Sequence, residues 1–207
     1  VYSFQQFKQL SCGEGGAVVT NNENIYNKMR NYTDMGSVRK GFPTWNGEGS
    51  LFGENYRMNH LNAAVLYAQL EKKDRIINKQ KDSRKRIMST LKKKKVKNII
   101  ESKDPLGDTS MNILILLNDK LLKEDAINLA KQKRIELRNM WSSVYYQNDL
   151  FAKNNLTALS LKNRECTKTI EMIDRLLVIS IPPILSSRDE QDICDLILEL
   201  KLKNYME

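Results

Sequence analysis

A single histidine, His60, stands in 207 residues, and that alone excludes any site built from several imidazoles. Cysteine is almost as scarce. Cys12, Cys166 and Cys194 are odd in number and share no metal-ligand spacing, so free thiols in a reducing, cytoplasmic compartment are the expectation. No apolar run approaches the ~18 residues a membrane helix requires. The longest, 176–185 (LLVISIPPIL), is broken by Pro182 and Pro183, so no membrane partner is expected. The opening VYSFQQ is neither basic nor followed by an apolar stretch, and does not read as a signal peptide. Also missing are G-x-S-x-G, H-E-x-x-H, a Walker A loop and G-x-G-x-x-G, which removes the usual signatures of hydrolases, zinc proteases and nucleotide folds. No internal repeat is present.

What is there is the composition of a folded domain: 41% hydrophobic and 29% charged residues. The formal charge is +9, an excess that can mark nucleic-acid binding. Much of it lies in residues 79–97 (KQKDSRKRIMSTLKKKKVK), where ten basic residues face one acid, Asp82. The stretch has no aromatic residue to stack on a base and continues a helical pattern. A solvated helix surface is therefore the reading, and a basic nucleic-acid-binding protein a minor alternative.

Along the chain, 1–4 reads as the end of a strand and 17–20 (AVVT) as a short β-branched strand, with Asn21 and Asn22 as a turn or helix cap. A short helix is expected over 24–32. The glycine-rich stretch 33–53, with Pro43 and Trp45, reads as a long irregular loop. From Asn59 or His60 to about Lys95 apolar residues recur every three to four positions without Gly or Pro. Such length predicts a helix that bridges two lobes or contains a break. Asp104-Pro105-Leu106-Gly107 is the clearest boundary. Beyond it, 111–117 and 176–181 read as strands, 123–133 as a helix and 135–138 as a further strand. A loop carries Trp141, Tyr145, Tyr146 and Phe151. A closing helix over 187–203 is capped by Ser186 or Ser187, with Asp189 and Glu190 in its first turn. The expected organisation is 1–75, the remnant of a larger domain; 76–104, a connecting helix; and 105–207, a small α/β domain.

Two segments carry chemistry. Gly13-Glu14-Gly15-Gly16 reads as a glycine turn that allows positive φ before a strand. Upstream, Lys8 sits among neutral residues in Ser3-Phe4-Gln5-Gln6-Phe7-Lys8, where an amine can serve as a nucleophile if desolvated.

Ser3-Phe4-x-x-x-Lys8 followed by Gly13-Glu14-Gly15-Gly16-Ala17-Val18-Val19-Thr20 resembles the active-site segment of the DegT/StrS family of sugar aminotransferases, fold-type I enzymes that depend on pyridoxal 5′-phosphate (PLP). Gly53-x-Asn55-Tyr56-Arg57-Met58, with Asn62-Ala63-Ala64 and Gln69-Leu70 behind it, resembles the family's second long motif. The resemblance is strongest over residues 1–77. It implies an α/β fold, the C-terminal part of a fold-type I aminotransferase: the end of the large domain, a long connecting helix and a small domain. It implies that Lys8 carries PLP and shuttles a proton during transfer, that Ser3 holds the cofactor phosphate, and that Asn55 reaches the phosphate in a neighbouring subunit's site, which makes a homodimer the expected assembly. Gln5, Tyr56 and Arg57 are the candidates for lining the substrate pocket. The implied reaction moves an amino group from glutamate or glutamine to a nucleotide-linked keto-sugar or a keto-cyclitol. Some family relatives carry histidine at the lysine position and act as dehydratases; Lys8 argues against that branch.

His60 stands where the family usually has an acidic residue and reads as structural at a helix start. Family members are typically much longer, with the lysine motif near their middle. The chain is thus expected to be a C-terminal portion that turns over little alone. A non-catalytic remnant or interaction module is the alternative.

Overall fold

The structure, a computed structural model, describes residues 1–37, 51–140 and 166–207. Pro43 and Trp45, and the loop with Trp141, Tyr145, Tyr146 and Phe151, lie outside the described residues. The chain forms two compact units, Val1–Arg75 and Ile76–Glu207.

In the first unit, β1 (Tyr2–Ser3) pairs antiparallel with β2 (Gly16–Ala17). The expected strand over 17–20 does not extend past Ala17: β1 is only two residues long, so Val18 and Val19 have no ladder partner and stay exposed. Helix α1 (Glu23–Thr33) begins at Asn22, whose side chain accepts from the Ile25 N–H at 3.1 Å. Helix α2 (His60–Glu71) starts the same way, Asn59 accepting from the Asn62 N–H at 2.9 Å. His60 is the exposed first residue of that helix. The long helical pattern does contain a break. α2 closes at Lys72, whose N–H bonds the Gln69 and Leu70 carbonyls, and α3 (Lys73–Lys93) resumes at once.

The stretch expected as a connecting helix, 76–104, is helical only to Lys93. Lys95 adopts φ +56°, its N–H bonds the Lys92 carbonyl and the Val96 N–H reaches back to Leu91, which is the Schellman closure of a helix. The chain then forms a short strand, β3 (Ile99–Ile100). This strand edges a four-stranded antiparallel sheet with β4 (Asn112–Leu116), β5 (Leu137–Asn139) and β6 (Leu176–Ser180), in the order β3-β4-β6-β5. Pro182 and Pro183 limit β6: after Ile181 donates to the Met111 carbonyl at 2.8 Å, the next two residues have no N–H to offer.

Helix α4 (Lys123–Gln132) precedes β5, α5 (Thr167–Arg175) leads into β6, and α6 (Ser187–Leu202) closes the chain. Ser186 caps α6 in a reciprocal box: the Asp189 N–H donates to Ser186 Oγ at 3.2 Å, and the Ser186 N–H to Asp189 Oδ2 at 2.7 Å. Those bonds from Ser186 hold the Asp189 carboxyl below its ordinary pKa. The core joins Ile87 and Leu91 of α3, Ala126 and Ala130 of α4, and Ile193, Leu196, Ile197 and Leu200 of α6 to Ile113, Ile115, Leu177 and Ile179 of the sheet. At one margin the Arg86 guanidinium grips Glu190 with Nε to Oε2 at 2.8 Å and Nη2 to Oε1 at 2.6 Å, tying α3 to α6. That bond holds the Glu190 pKa down. Much of the basic stretch 79–97 is the surface of α3, with Arg84 facing Asp108 at 3.8 Å, Lys92 facing Glu101 at 3.0 Å, and Lys97 beyond the helix facing Glu207 at 3.6 Å. Among the described residues no helix is long and apolar enough to cross a membrane.

Leu196 is fully buried, so Leu196→Ala is expected to cost about 3 kcal/mol of stability in denaturant unfolding. Glu190→Gln is expected to lower the melting temperature at pH 7. The folded pKa of Glu190 is depressed, so its contribution is complete above the unfolded value of about 4.3 and fades as pH falls through the folded one. The gap between Glu190→Gln and the parent is therefore expected to close on acidification below that value.

Candidate functional site

The lysine segment is a loop pinched at its base. The Phe4 N–H donates to the Gly15 carbonyl at 2.8 Å, and the Cys12 N–H to the Phe4 carbonyl at 3.0 Å. Phe4 and Cys12 are buried with Leu66 of α2. Between these anchors, the Lys8 N–H bonds the Gln5 carbonyl at 2.9 Å and the Phe7 N–H bonds Gln5 Oε1 at 3.0 Å. Gln5 is therefore engaged in shaping the turn that presents Lys8. Lys8 is exposed, and its ammonium has no partner among the described residues; the Ser3 hydroxyl at the end of β1 is likewise exposed and unpartnered.

Gly13 takes φ +88°, the left-handed conformation that the glycine turn predicts. Gly15 serves a different purpose. A Cβ there would lie 2.7 Å from Met58 Cε and 2.9 Å from Cys12 Sγ. The missing side chain lets the second motif pack on the first. Asn62 completes the join, its Nδ2 donating to the Glu14 carbonyl at 2.9 Å.

The second motif is clasped to the end of α1. The Glu54 N–H donates to the Tyr32 carbonyl at 2.9 Å, the Tyr56 N–H to the Thr33 carbonyl at 3.0 Å, and the Met35 N–H to the Glu54 carbonyl at 3.1 Å. Asp34 and Asn55 face each other as an antiparallel bridge. A Cβ on Gly53 would meet the Gly36 nitrogen and the Tyr32 carbonyl oxygen, each at 2.5 Å. Tyr32 and Tyr56 stack with centroids 5.9 Å apart. The Tyr56 phenol bonds the Glu54 carboxylate, which raises its pKa above the ordinary 10.0, so Tyr56 is a neutral group. Asn55 Oδ1 accepts from the Arg57 N–H at 3.3 Å and from Arg57 Nε at 3.1 Å, and the same Nε lies 3.4 Å from Asp34 Oδ1.

Thus Ser3, Gln5 and Lys8 share one loop, and Asn55, Tyr56 and Arg57 share another. Among the described residues no hydrogen bond or ion pair joins the two sets directly; Met58 and Asn62 connect them. Sequence reasoning passed over Asp34, Gly36 and Glu54, because the contacts that join them across the clasp, Asp34 to Arg57, Gly36 to Leu51 and Gly53, and Glu54 to Tyr32 and Met35, are distant in sequence. No group of three His, Cys, Asp or Glu among the described residues could hold a metal.

A sequence model of the DegT/DnrJ/EryC1/StrS aminotransferase family matches residues 1–198. Among curated relatives, GDP-perosamine synthase of Escherichia coli O157:H7 is 32% identical over 149 residues, 70% of this chain and 38% of that protein. A putative L-glutamine:3-amino-2,3-dideoxy-scyllo-inosose aminotransferase of Micromonospora echinospora is 37% identical over 73 residues, 35% of this chain and 17% of that protein. Among solved structures, Helicobacter pylori PseC, an aminotransferase of pseudaminic acid biosynthesis, superposes with a TM-score of 0.75 at 18% identity, covering 95% of this chain and 51% of its own. The E. coli GDP-4-keto-6-deoxy-D-mannose-3-dehydratase, solved with hydrated PLP bound, gives 0.74 at 17% identity over 94% of this chain and 53% of its own. The chain has the mixed α/β fold of these solved structures and spans about half their length, and its match covers well under half of the curated relatives.

The two glycine contacts differ in what opposes them, and this sets a test. Gly15→Ala meets two side chains, the flexible end of Met58 and the Cys12 sulfur, both away from the Gly53 clasp, whereas Gly53→Ala meets backbone on both sides. Gly53→Ala is expected to abolish hydrogen-exchange protection of the Glu54 and Tyr56 amides, and Gly15→Ala to leave it largely in place. Equal protection in both variants would contradict the clasp.

Proposed function

This chain belongs to the DegT/DnrJ/EryC1/StrS aminotransferase family, and we propose that it supplies the lysine-bearing part of a PLP-dependent site that moves an amino group from glutamate or glutamine to a keto-sugar or keto-cyclitol. One observation carries the reading: among the described residues Lys8 stands exposed and unpartnered at the tip of a loop whose base is fixed by Phe4, Cys12 and Gly15, with the Ser3 hydroxyl, likewise without a partner among them, on the same segment. The donor set fits the cofactor, since a primary amine can engage its aldehyde carbon and a hydroxyl can donate to its phosphate. When bound, PLP supplies the electron sink for the chemistry at the donor's α-carbon. The Lys8 amine would hold the cofactor and, when free, would carry a proton to and from the donor's α-carbon, serving in turn as base and acid. Ser3 anchors the phosphate end, so the moving proton and the fixed anion are held by one loop. Tyr56, neutral and hydrogen-bonded to Glu54, contributes to the pocket as an uncharged group.

The acceptor classes follow the names of the relatives, a perosamine synthase and an aminoinosose aminotransferase, and the second name also gives glutamine as donor; glutamate rests on the family resemblance. Lysine rather than histidine at position 8 favours transfer over dehydration. The exposure of Tyr2, Phe7, Val19, Phe52, Leu61 and Tyr67 in the first unit supports a larger assembly, since a lone soluble unit rarely leaves so much apolar surface bare. The reading therefore includes a homodimer in which Asn55 serves the neighbouring site, and a chain that turns over weakly or not at all without the remaining half of the fold.

Treatment with PLP and borohydride followed by peptide mapping tests this. The pyridoxyl label is expected to concentrate on Lys8 over the lysines of 79–97, and to vanish from that peptide in Lys8→Ala. Labelling of Lys8 no greater than that of the surface lysines, with the remaining half of the fold supplied, would overturn it.

A further inference from the structure

The arrangement around Asn55 goes a step further and rests on the reading above, in which this asparagine meets a cofactor phosphate. A carboxamide can turn either its oxygen or its NH2 toward an anion, and only the NH2 is useful there. Asn55 Oδ1 has two lone pairs and two donors on them, the Arg57 backbone N–H at 3.3 Å and Arg57 Nε at 3.1 Å. Asn55 Nδ2 has no partner among the described residues, and the residue is exposed. The oxygen is thus bound inward and the two N–H groups are left to donate outward. Arg57 is itself held: its Nε lies 3.4 Å from Asp34 Oδ1, and Asp34 is mostly buried and bridged to Asn55 through the backbone.

We propose that Arg57 is a positioning residue: its Nε–H fixes the Asn55 carboxamide so that Nδ2 is presented to the phosphate of PLP, and Asp34 fixes the guanidinium. The planar guanidinium is suited to this because its Nε–H projects sideways from the stem, a donor that lysine lacks. The geometry separates this role from direct attraction of an anion by charge. A positioning role fails in Arg57→Lys, which keeps the charge; a charge role survives it.

The test is a titration of the 207-residue chain, with the remaining half of the fold supplied, against inorganic phosphate and against PLP, followed through the Asn55 Nδ2 resonances, with peptide mapping of Lys8 labelling run alongside. Phosphate addresses the anion contact alone and PLP the complete group. Wild type is expected to show saturable shifts with both, and Arg57→Lys and Arg57→Ala to weaken each affinity about tenfold, the share of one charge-assisted hydrogen bond. Asn55→Asp is expected to lose the interaction outright, because a carboxylate cannot donate. If Arg57→Lys binds as wild type does, Arg57 acts through charge and the positioning role is wrong. If wild type shows no shift at Asn55 while Lys8 is still labelled preferentially, the phosphate contact of Asn55 is wrong and the proposal falls with it, leaving the lysine reading intact. If neither Asn55 nor Lys8 responds, both fall together.

Discussion

The first unit is held by backbone approaching backbone. Among the described residues its buried apolar cluster is Phe4, Cys12 and Leu66, with Leu10, Ala17 and Met58 packed against it, a small area for fixing two loops by burial at about 25 cal/mol per Å². What places the loops instead is the removal of side chains where main chains must touch. Gly53 lies against the Tyr32 carbonyl and the Gly36 nitrogen; Gly15 lets Met58 and Cys12 close on the lysine loop. Each contact brings hydrogen bonds with it, the Glu54 and Tyr56 amides onto α1 and the Asn62 amide onto Glu14. A site built this way has little tolerance for added volume but does not need a large core of its own.

The second unit is organised by the opposite means. α3, α4 and α6 bury a helical stripe against one face of an antiparallel sheet, and β4 alternates half-buried and buried residues as a one-sided strand should. Here the polar contacts sit at the margins of an apolar core. Arg86 and Glu190 clamp α3 to α6, and the Gln80 side chain donates to the Ile181 carbonyl at the end of β6. Stability in this unit follows buried volume, whereas the geometry of the first unit follows glycine and hydrogen-bond placement.

That contrast explains what could be read from the sequence. The regular elements of the second unit were legible because their signals are local: the β-branched runs of β4 and β6, the Ser186 cap, the prolines after Ile181. Helix ends were less so. α3, α4 and α6 all close through a left-handed residue, but those residues are Lys95, Arg134 and Asn204 rather than glycine, so no punctuation marks them. β3, two residues long, and the break at Lys72 carry no periodic signature. In the first unit the motif residues were legible through family resemblance, while the contacts that position them were not. Asp34 meets Arg57, and Gly36 meets Leu51 and Gly53, through a clasp that depends on where α1 ends in space.

The two cations of the site divide along the same line. In the proposed reaction Lys8 changes partners and gives up a proton, and among the described residues its ammonium has no ion pair. An acid at hydrogen-bond distance would stabilise the charged form and oppose its use as a base. Arg57 needs no such freedom in that reading, since its guanidinium offers donors in a fixed planar fork. It is placed beside Asp34 and Asn55, where a permanent charge and a fixed donor direction are assets. If the proposed roles hold, exchanging the two residue types defeats both positions: arginine at 8 lacks a proton it can readily give up, and lysine at 57 lacks the Nε–H that meets the Asn55 amide. The constraint on each is therefore chemical at the first and geometric at the second, although both residues belong to motifs of the same family.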